Sequence, residues 1–262
     1  MLGAIIGDLV GSVYEYTSEK EKDFLLFAPG SAPTDDSLMT IAVGVSCASC
    51  ATDDEAEFKR TLCAMMREIG RQYPDAGYGA LCYRWLMNDA AGPYGSYGNG
   101  SARRVSPVAY AAASLADAER LAKWSAEVTH DHPEGIRGAQ AVAAAVYLAR
   151  TGSGRDAIRA YIEEKYYDMD FTLDGIRPSY RYDVTCQGSV PQAIECFLEA
   201  EDFEDAIRNA ISLGGDGDTL AAMAGAIAEA YFGIPEELEE KALALLDESL
   251  LGYYDEIAAA LG

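Results

Sequence analysis

The chain has 262 residues, half of them apolar and a tenth aromatic, which is enough to bury a sizeable core and too hydrophobic for a disordered protein. Forty-three acidic against twenty basic side chains leave a formal charge of −23, which repels nucleic acid and anionic membranes, so neither is expected as a partner. The opening MLGAIIGDLVGS lacks a basic flank and is interrupted by Asp8, and no apolar run approaches the roughly 18 residues needed to cross a bilayer, so a cytoplasmic location is expected.

The first element runs over residues 3–15. Gly3, Gly7 and Gly11 are four apart and line one stripe of a helix, which continues to Glu15. Each glycine costs a helix roughly 1 kcal/mol relative to alanine, so the stripe predicts close approach of another backbone. Its end is either a charged edge of the core or a carboxylate delivered to a site by a rigid buried helix. Next comes Thr34-Asp35-Asp36-Ser37, directly ahead of a helix over 37–50. That helix carries Cys47 and Cys50. With no second pair to complete a zinc site, they read as small buried hydrophobes, as the irregular spacing of all six cysteines suits a reducing compartment.

Helical periodicity continues over 54–73, 107–116, 118–128, 135–151, 154–166, 189–200, 203–213, 219–232 and 236–248, with Gly152, Gly233 and Pro235 marking ends. Alternating β-branched runs are almost absent, so the predicted class is all-α, in one domain over 1–262. Residues 88–101 (NDAAGPYGSYGNGS) are too rich in glycine for a regular element. Read alone, this is a surface loop. Read functionally, its backbone N–H groups form an anion cradle, with Tyr94 or Tyr97 available to stack on a base. His130, in Thr129-His130-Asp131-His132-Pro133, reads as a cap for the helix that follows or as a ligand contact.

Gly214-Gly215-Asp216-Gly217-Asp218-Thr219 opens the apolar helix at 219. Like residues 34–37, it puts two carboxylates and a threonine at a helix start. Capping explains one such residue, but not three oxygen side chains in each of two places. If both helix starts lie near the core, four carboxylates converge at a cost of several kcal/mol each, and hard divalent cations relieve it. That convergence is an assumption at the level of sequence. The D-x-D-T of haloacid-dehalogenase-type phosphatases also matches residues 216–219, but there the motif ends an N-terminal β-strand, whereas here it follows a helix late in the chain.

In order along the chain, GAIIGDLVGSVYE, TDDS, AGYG, GSYGNGSARRVSP, TH and SLGGDGDTLAAMAGAIAEAYFG together resemble the ADP-ribosylglycohydrolase family, which includes the glycohydrolase that reactivates nitrogenase reductase. The resemblance implies a compact single-domain orthogonal helical bundle around a central binuclear metal site. It implies two Mg²⁺ or Mn²⁺ ions held by Thr34, Asp35, Asp36, Asp216, Asp218 and Thr219, and catalysis by Glu15 or by a metal-bound Asp35. It assigns Gly77, Ser96, Tyr97, Gly98, Asn99 and His130 to ADP-ribose. The implied activity is metal-dependent hydrolysis at the anomeric carbon of an ADP-ribosylated side chain or small conjugate. The alternatives are a non-catalytic ADP-ribose binder or structural relative, and a hydrolase of another nucleotide or sugar conjugate. Two departures stand out. Gly217 replaces the usual hydroxyl residue of G-G-D-[TS]-D-T, which is expected to loosen that loop. Arg103 replaces the usual Met before Arg104, which is expected to add charge near the phosphates.

Overall fold

The structure, a computed structural model, describes residues 1–17 and 19–262. Among them it has fifteen α-helices, and the one β feature is an isolated antiparallel bridge between Gly98 and Thr185. The all-α class is as the sequence predicts.

The frame is set by two apolar helices with little surface. Helix α1 (Leu2–Gly11) is buried along its whole length and lies along α13 (Gly217–Phe232). The glycine stripe makes this possible. A Cβ on Gly3 would come within 2.2 Å of the Gly225 carbonyl oxygen, one on Gly7 within 2.1 Å of Ala221 O, and one on Gly11 within 2.3 Å of Asp218 Cα. These are backbone atoms, which cannot rotate away. The helix cost of three glycines is thereby offset by the approach of two main chains, as expected.

The remaining helices wrap this pair. On one side α2 (Asp35–Ser49) packs against α1, α3 (Glu55–Gln72) and α15 (Glu248–Leu261). On the other, α13 meets α8 (Pro133–Arg150), α11 (Cys186–Leu198) and α12 (Phe203–Ser212). Helix α7 (Leu115–Glu127) pairs with α8, and α9 (Arg155–Lys165) closes that flank. Short helices α4 (Ala80–Leu86), α5 (Gly100–Arg103), α6 (Ser106–Ala111), α10 (Leu173–Ile176) and α14 (Glu236–Leu243) join the longer ones. Cys47 is buried with its thiol pushed up by burial, and the half-buried Cys50 donates to Ser46 O (2.9 Å).

Several boundaries differ from expectation, each for a local reason. Helix α1 stops at Gly11 and the chain turns, with Tyr14 N–H donating to Gly11 O (2.7 Å), so Glu15 sits on a turn and not on a helix. Helix α11 begins at Cys186, three residues earlier than the sequence predicts. Thr185 caps it through Gly188 N–H, and Pro191 is carried in the second turn, not the first where proline is usual. The run read as one helix over 236–248 breaks, because Asp247 accepts from Leu250 N–H and starts α15. Ser114 does the same for α7, separating it from α6. Helices α4, α5 and α10 are too short to show a period.

Two substitutions separate packing from propensity. Gly7→Ala improves helix propensity by about 1 kcal/mol, yet should destabilise the protein by roughly 1–3 kcal/mol or more in urea unfolding, because the methyl meets the Ala221 backbone. Gly252→Ala, in the exposed interior of α15 with nothing within 4 Å of the added Cβ, should stabilise by about 0.5–1 kcal/mol. A neutral or stabilising Gly7→Ala would show that the α1–α13 contact is looser than drawn.

Candidate active site

The start of α2 is built around Asp8. This carboxylate is fully buried in α1, and four donors from the next motif converge on it. Thr34 Oγ1 donates at 2.6 Å and Thr34 N–H at 2.9 Å, Ser37 N–H donates at 3.0 Å, and Ser37 Oγ makes a further short contact. Thr34 Oγ1 also accepts from Asp36 N–H (3.2 Å), so Thr34 is the N-cap of α2. Asp8 was legible as a lone charge in an apolar helix, but sequence reasoning did not assign it this bracketing task.

At α13 the capping explanation fails. Asp216 occupies the N-cap position, yet its side chain makes no cap bond; it accepts instead from Asn99 Nδ2 (2.7 Å) in the glycine-rich loop. Asp218 Oδ1 accepts from Thr219 N–H (2.8 Å). Thr219 Oγ1 donates to Asp36 Oδ2 (2.8 Å) across 183 positions of sequence, so the two acidic helix starts do meet. Gly217 needs no special backbone and a Cβ there would have room, so its replacement of a hydroxyl residue does not by itself reshape the loop.

Two groups of carboxylates result, sharing Asp218. Asp8, Asp36 and Asp218 have oxygens within 4.8 Å of one another, as do Glu15, Asp216 and Asp218. Asp8 and Glu15 therefore both lie beside Asp218, each in a different group. All donors are carboxylate oxygens, the chemistry of a hard divalent cation and not of zinc or copper. Burial pushes Asp36 and Asp218 well above the usual carboxylate range, and Asp218 is raised further by Asp216, Asp8 and Glu15. Asp216 is raised as well, first by burial, with the Asn99 bond opposing.

One cation is already there. Arg103 Nη2 contacts Asp35 Oδ2, and Arg103 Nη1 contacts Asp36 Oδ1 and lies 3.3 Å from Thr219 Oγ1. Burial opposes its charge, but Asp35 and Asp36 outweigh that and hold the guanidinium well above its ordinary range. The expectation that Arg103 adds charge near the phosphates is thus corrected: its side chain turns into the acidic cluster. Glu15 is half-buried on its turn and accepts from Tyr182 OH (3.1 Å), whose ring stacks on Tyr16 at 6.2 Å between centroids. Neither tyrosine carried a sequence signal.

The glycine-rich loop lies beside this cluster. Asn99 N–H donates to Val184 O (2.8 Å) and Cys186 N–H to Tyr97 O (3.0 Å), pinning the loop to residues 184–186. The anion cradle is smaller than the sequence suggests. Gly95 N–H is used by Asp131 (2.7 Å), Gly98 N–H by Ser96 Oγ (3.2 Å) and Asn99 N–H by Val184, leaving those of Ser96, Tyr97 and Gly100 without a partner among the described residues. Tyr94 packs against the core, whereas Tyr97 is half exposed with its ring beside His132 (5.3 Å), so Tyr97 is the one free to stack. Gly77 (φ +95°) belongs to the turn whose Ala76 O accepts from Asp35 N–H, and a Cβ on it would be 3.6 Å from Asp35 Oδ1.

His130 does not cap α8; His132 does, through Glu134 N–H (3.1 Å). His130 is buried, and burial together with Arg104 and Arg103 lowers its pKa well below the usual value, so it is neutral. Arg104, fully buried, donates to Ser125 O and to Thr129 Oγ1 (both 2.8 Å). Arg104 is a donor to this hydroxyl, so His130 Nδ1, 2.7 Å away, is the acceptor left for the Thr129 proton among the described residues. The network thereby assigns the proton to Nε2, which faces Gly98 and Gly100. His130 is a fixed donor aimed at the loop.

A pH dependence follows. The folded state raises the pKa of Asp36, Asp216 and Asp218, so their contribution to stability is present below the ordinary carboxylate value of about 4 and is lost as pH rises through the raised values. In chelator, the melting temperature should fall as pH rises above the ordinary carboxylate value of about 4. Asp218→Asn should flatten that decline, whereas Asn at the exposed Asp53 should not. A melting temperature that rises over this range would contradict the arrangement.

Residues 1–261 match the family described as ADP-ribosylglycohydrolase. The chain is 30% identical to human ADP-ribosylhydrolase ARH3 over 322 residues, covering 92% of this chain and 87% of that protein. It is 26% identical to the ADP-ribosyl-[dinitrogen reductase] glycohydrolase of Rhodospirillum rubrum over 258 residues, covering 90% and 85%. It is 26% identical to ADP-ribosylarginine hydrolase Tri1 of Pseudomonas putida, covering 92% and 72%. A solved structure titled ADP-ribosylglycohydrolase-related protein complex shares the fold with a TM-score of 0.68 at 21% identity, over 100% of this chain and 97% of that one. With the family matched from end to end and an acidic cluster assembled from two distant helix starts beside a glycine-rich loop, the chain belongs to the ADP-ribosylglycohydrolase family and is a hydrolase.

Proposed function

We propose that the protein hydrolyses the bond between the anomeric carbon of an ADP-ribosyl group and its acceptor, with a divalent cation, Mg²⁺ or Mn²⁺, in the acidic cluster. The observation that carries the reading is the Asn99–Asp216 hydrogen bond, which joins the glycine-rich loop directly to the carboxylates. A ligand held by that loop has its far end among them. Ser96, Tyr97, Gly98 and Asn99 hold the ADP portion, with the His130 Nε2–H and the Gly77 turn completing the contacts. Binding energy spent there, remote from the scissile bond, positions the ribose.

The donors offered to the cation are Asp216 and Asp218, with Glu15 close by, and Thr34, Asp35, Asp36 and Thr219 on the α2 side as far as Arg103 leaves them free. A bound cation would orient the ribose hydroxyls and acidify a bound water. Between the two candidates for the proton, the contacts favour Glu15. Asp35 is held in an ion pair with the Arg103 guanidinium, whereas Glu15 stands on its turn beside the Tyr182 and Tyr16 hydroxyls and other carboxylates, with no cationic partner in contact among the described residues. The Glu15 carboxylate accepts a proton from the water that attacks the anomeric carbon, the bond from that carbon to the acceptor breaks, and the proton passes to the departing acceptor atom.

The names of relatives include an arginine linkage and a modified protein, dinitrogen reductase, so an ADP-ribosylated protein is the proposed class of substrate here. Six free thiols suit the cytoplasm, and no helix among the described residues is long and apolar enough to cross a membrane. ADP-ribosyl-arginine, ADP-ribosyl-serine and ADP-ribose-1″-phosphate assayed side by side by chromatography should show ADP-ribose released from at least one, and release should stop in excess chelator. No release from any of the three by metal-loaded protein would overturn the reading.

Glu15→Gln preserves shape but cannot accept a proton near neutral pH. Turnover should fall about 10²–10⁴-fold while ADP-ribose affinity by calorimetry changes far less. Near-normal turnover in the folded variant would move proton handling to Asp35 or Asp36.

A further inference from the structure

The residues present fit one divalent cation better than the two that the family resemblance implies. On the α13 side, Asp216, Asp218 and Glu15 form no ion pair among the described residues, and Arg103 reaches Asp216 and Asp218 only as a longer-range charge. The α2 side is different. Of its oxygens, Asp35 Oδ2 and Asp36 Oδ1 are each in contact with a guanidinium nitrogen of Arg103, and Thr219 Oγ1 lies 3.3 Å from one of them. Thr34 Oγ1 is meanwhile committed to Asp8 and to the cap of α2.

We propose that the Arg103 guanidinium is a built-in cation that takes the place of one of the two metal ions, leaving a single divalent site on the side of Glu15, Asp216 and Asp218. This rests on the reading that the cluster takes a divalent cation at all. Three features of the structure make the replacement permanent and not a loose side-chain pose. First, the position is rigid: Arg103 is the last residue of α5, Ser101 Oγ ties that helix to Gly135 O (2.7 Å), and the next residue, Arg104, is anchored in the core by Ser125 and Thr129. Second, the side chain is only 16% exposed, so expelling it would leave its buried place empty as well as break its ion pairs. Third, the planar fork spreads its donors over both Asp35 and Asp36, and a guanidinium keeps its charge at every accessible pH. A divalent ion on the same oxygens would share their space with a fixed positive charge.

The chemistry follows from what a guanidinium cannot do. It neutralises and aligns Asp35 and Asp36, and through Thr219 it helps hold the α2 and α13 starts together. It has no open coordination position and does not acidify water as a metal does. Arg103 is therefore a positioning residue in the acidic cluster.

The test is the stoichiometry of Mn²⁺ on the full-length protein, by calorimetric titration and by metal analysis after removal of free ion. The wild-type chain should bind one equivalent. Arg103→Met should bind two, with its melting temperature raised by Mn²⁺ more than that of the wild type, because the freed Asp35 and Asp36 now need the second ion. Arg103→Lys, which keeps the charge, should stay at one. Two equivalents, or none, on the wild-type chain would overturn the proposal, as would a folded Arg103→Met that binds only one. If Arg103→Met does not fold, the wild-type and Arg103→Lys values decide, and two equivalents on either refute it. Two bound ions with ADP-ribose released would sink this inference and leave the hydrolase reading standing; one bound ion with no release from any substrate would do the reverse.

Discussion

The structure depends on the approach of two main chains, α1 on α13, at a distance that admits no Cβ. Gly3, Gly7 and Gly11 on one helix meet Gly225, Ala221 and Asp218 on the other. Contact at Gly11 brings the start of α13 against the end of α1, so Asp218 arrives beside both Asp8 and Glu15. Asp8 in turn organises the start of α2 through Thr34 and Ser37. A packing requirement of small residues thus fixes where carboxylates from three separate segments meet.

Such a meeting is unfavourable on electrostatic grounds alone. Asp8, Asp36, Asp216 and Asp218 are all buried, and burial raises the pKa of each above the usual range. The protein answers the cost in three ways. Asp8 is satisfied by neutral donors, Asp216 accepts from Asn99, and Asp35 and Asp36 face Arg103. Asp218 and Glu15 make no direct ion pair among the described residues, and their group with Asp216 is the side on which a divalent cation is best accommodated.

The recognition loop is held by bonds of a different kind. Glycine at 98 and 100 lets the main chain run close to His130 and Val184, and most of the loop's order comes from hydrogen bonds to Thr129, Asp131, Val184, Cys186 and Asp216. His130 is given a definite tautomer through Arg104 and Thr129. Arg104 and Arg103, adjacent in sequence, therefore have opposite tasks. One is a buried strut behind the loop, and the other is a charge within the acidic cluster.

Much of this was legible in the amino-acid sequence. Helical periodicity and the scarcity of alternating runs established an all-α protein, because the period of burial along a helix is a local property. Glycines at a four-residue step announced a close helix contact, and paired carboxylates ahead of apolar helices announced charge near the core. What only the tertiary structure decided was which distant atoms share a space. The meeting of Thr219 with Asp36, the bracketing by Asp8, the placing of Glu15 on a turn and the approach of Tyr182 to it all depend on how α1, α2 and α13 stack. The direction of Arg103 is the clearest case. Sequence put it beside a phosphate-type loop, but its long side chain can point to either side of α5, and the choice belongs to the field of carboxylates that packing gathers on one of them.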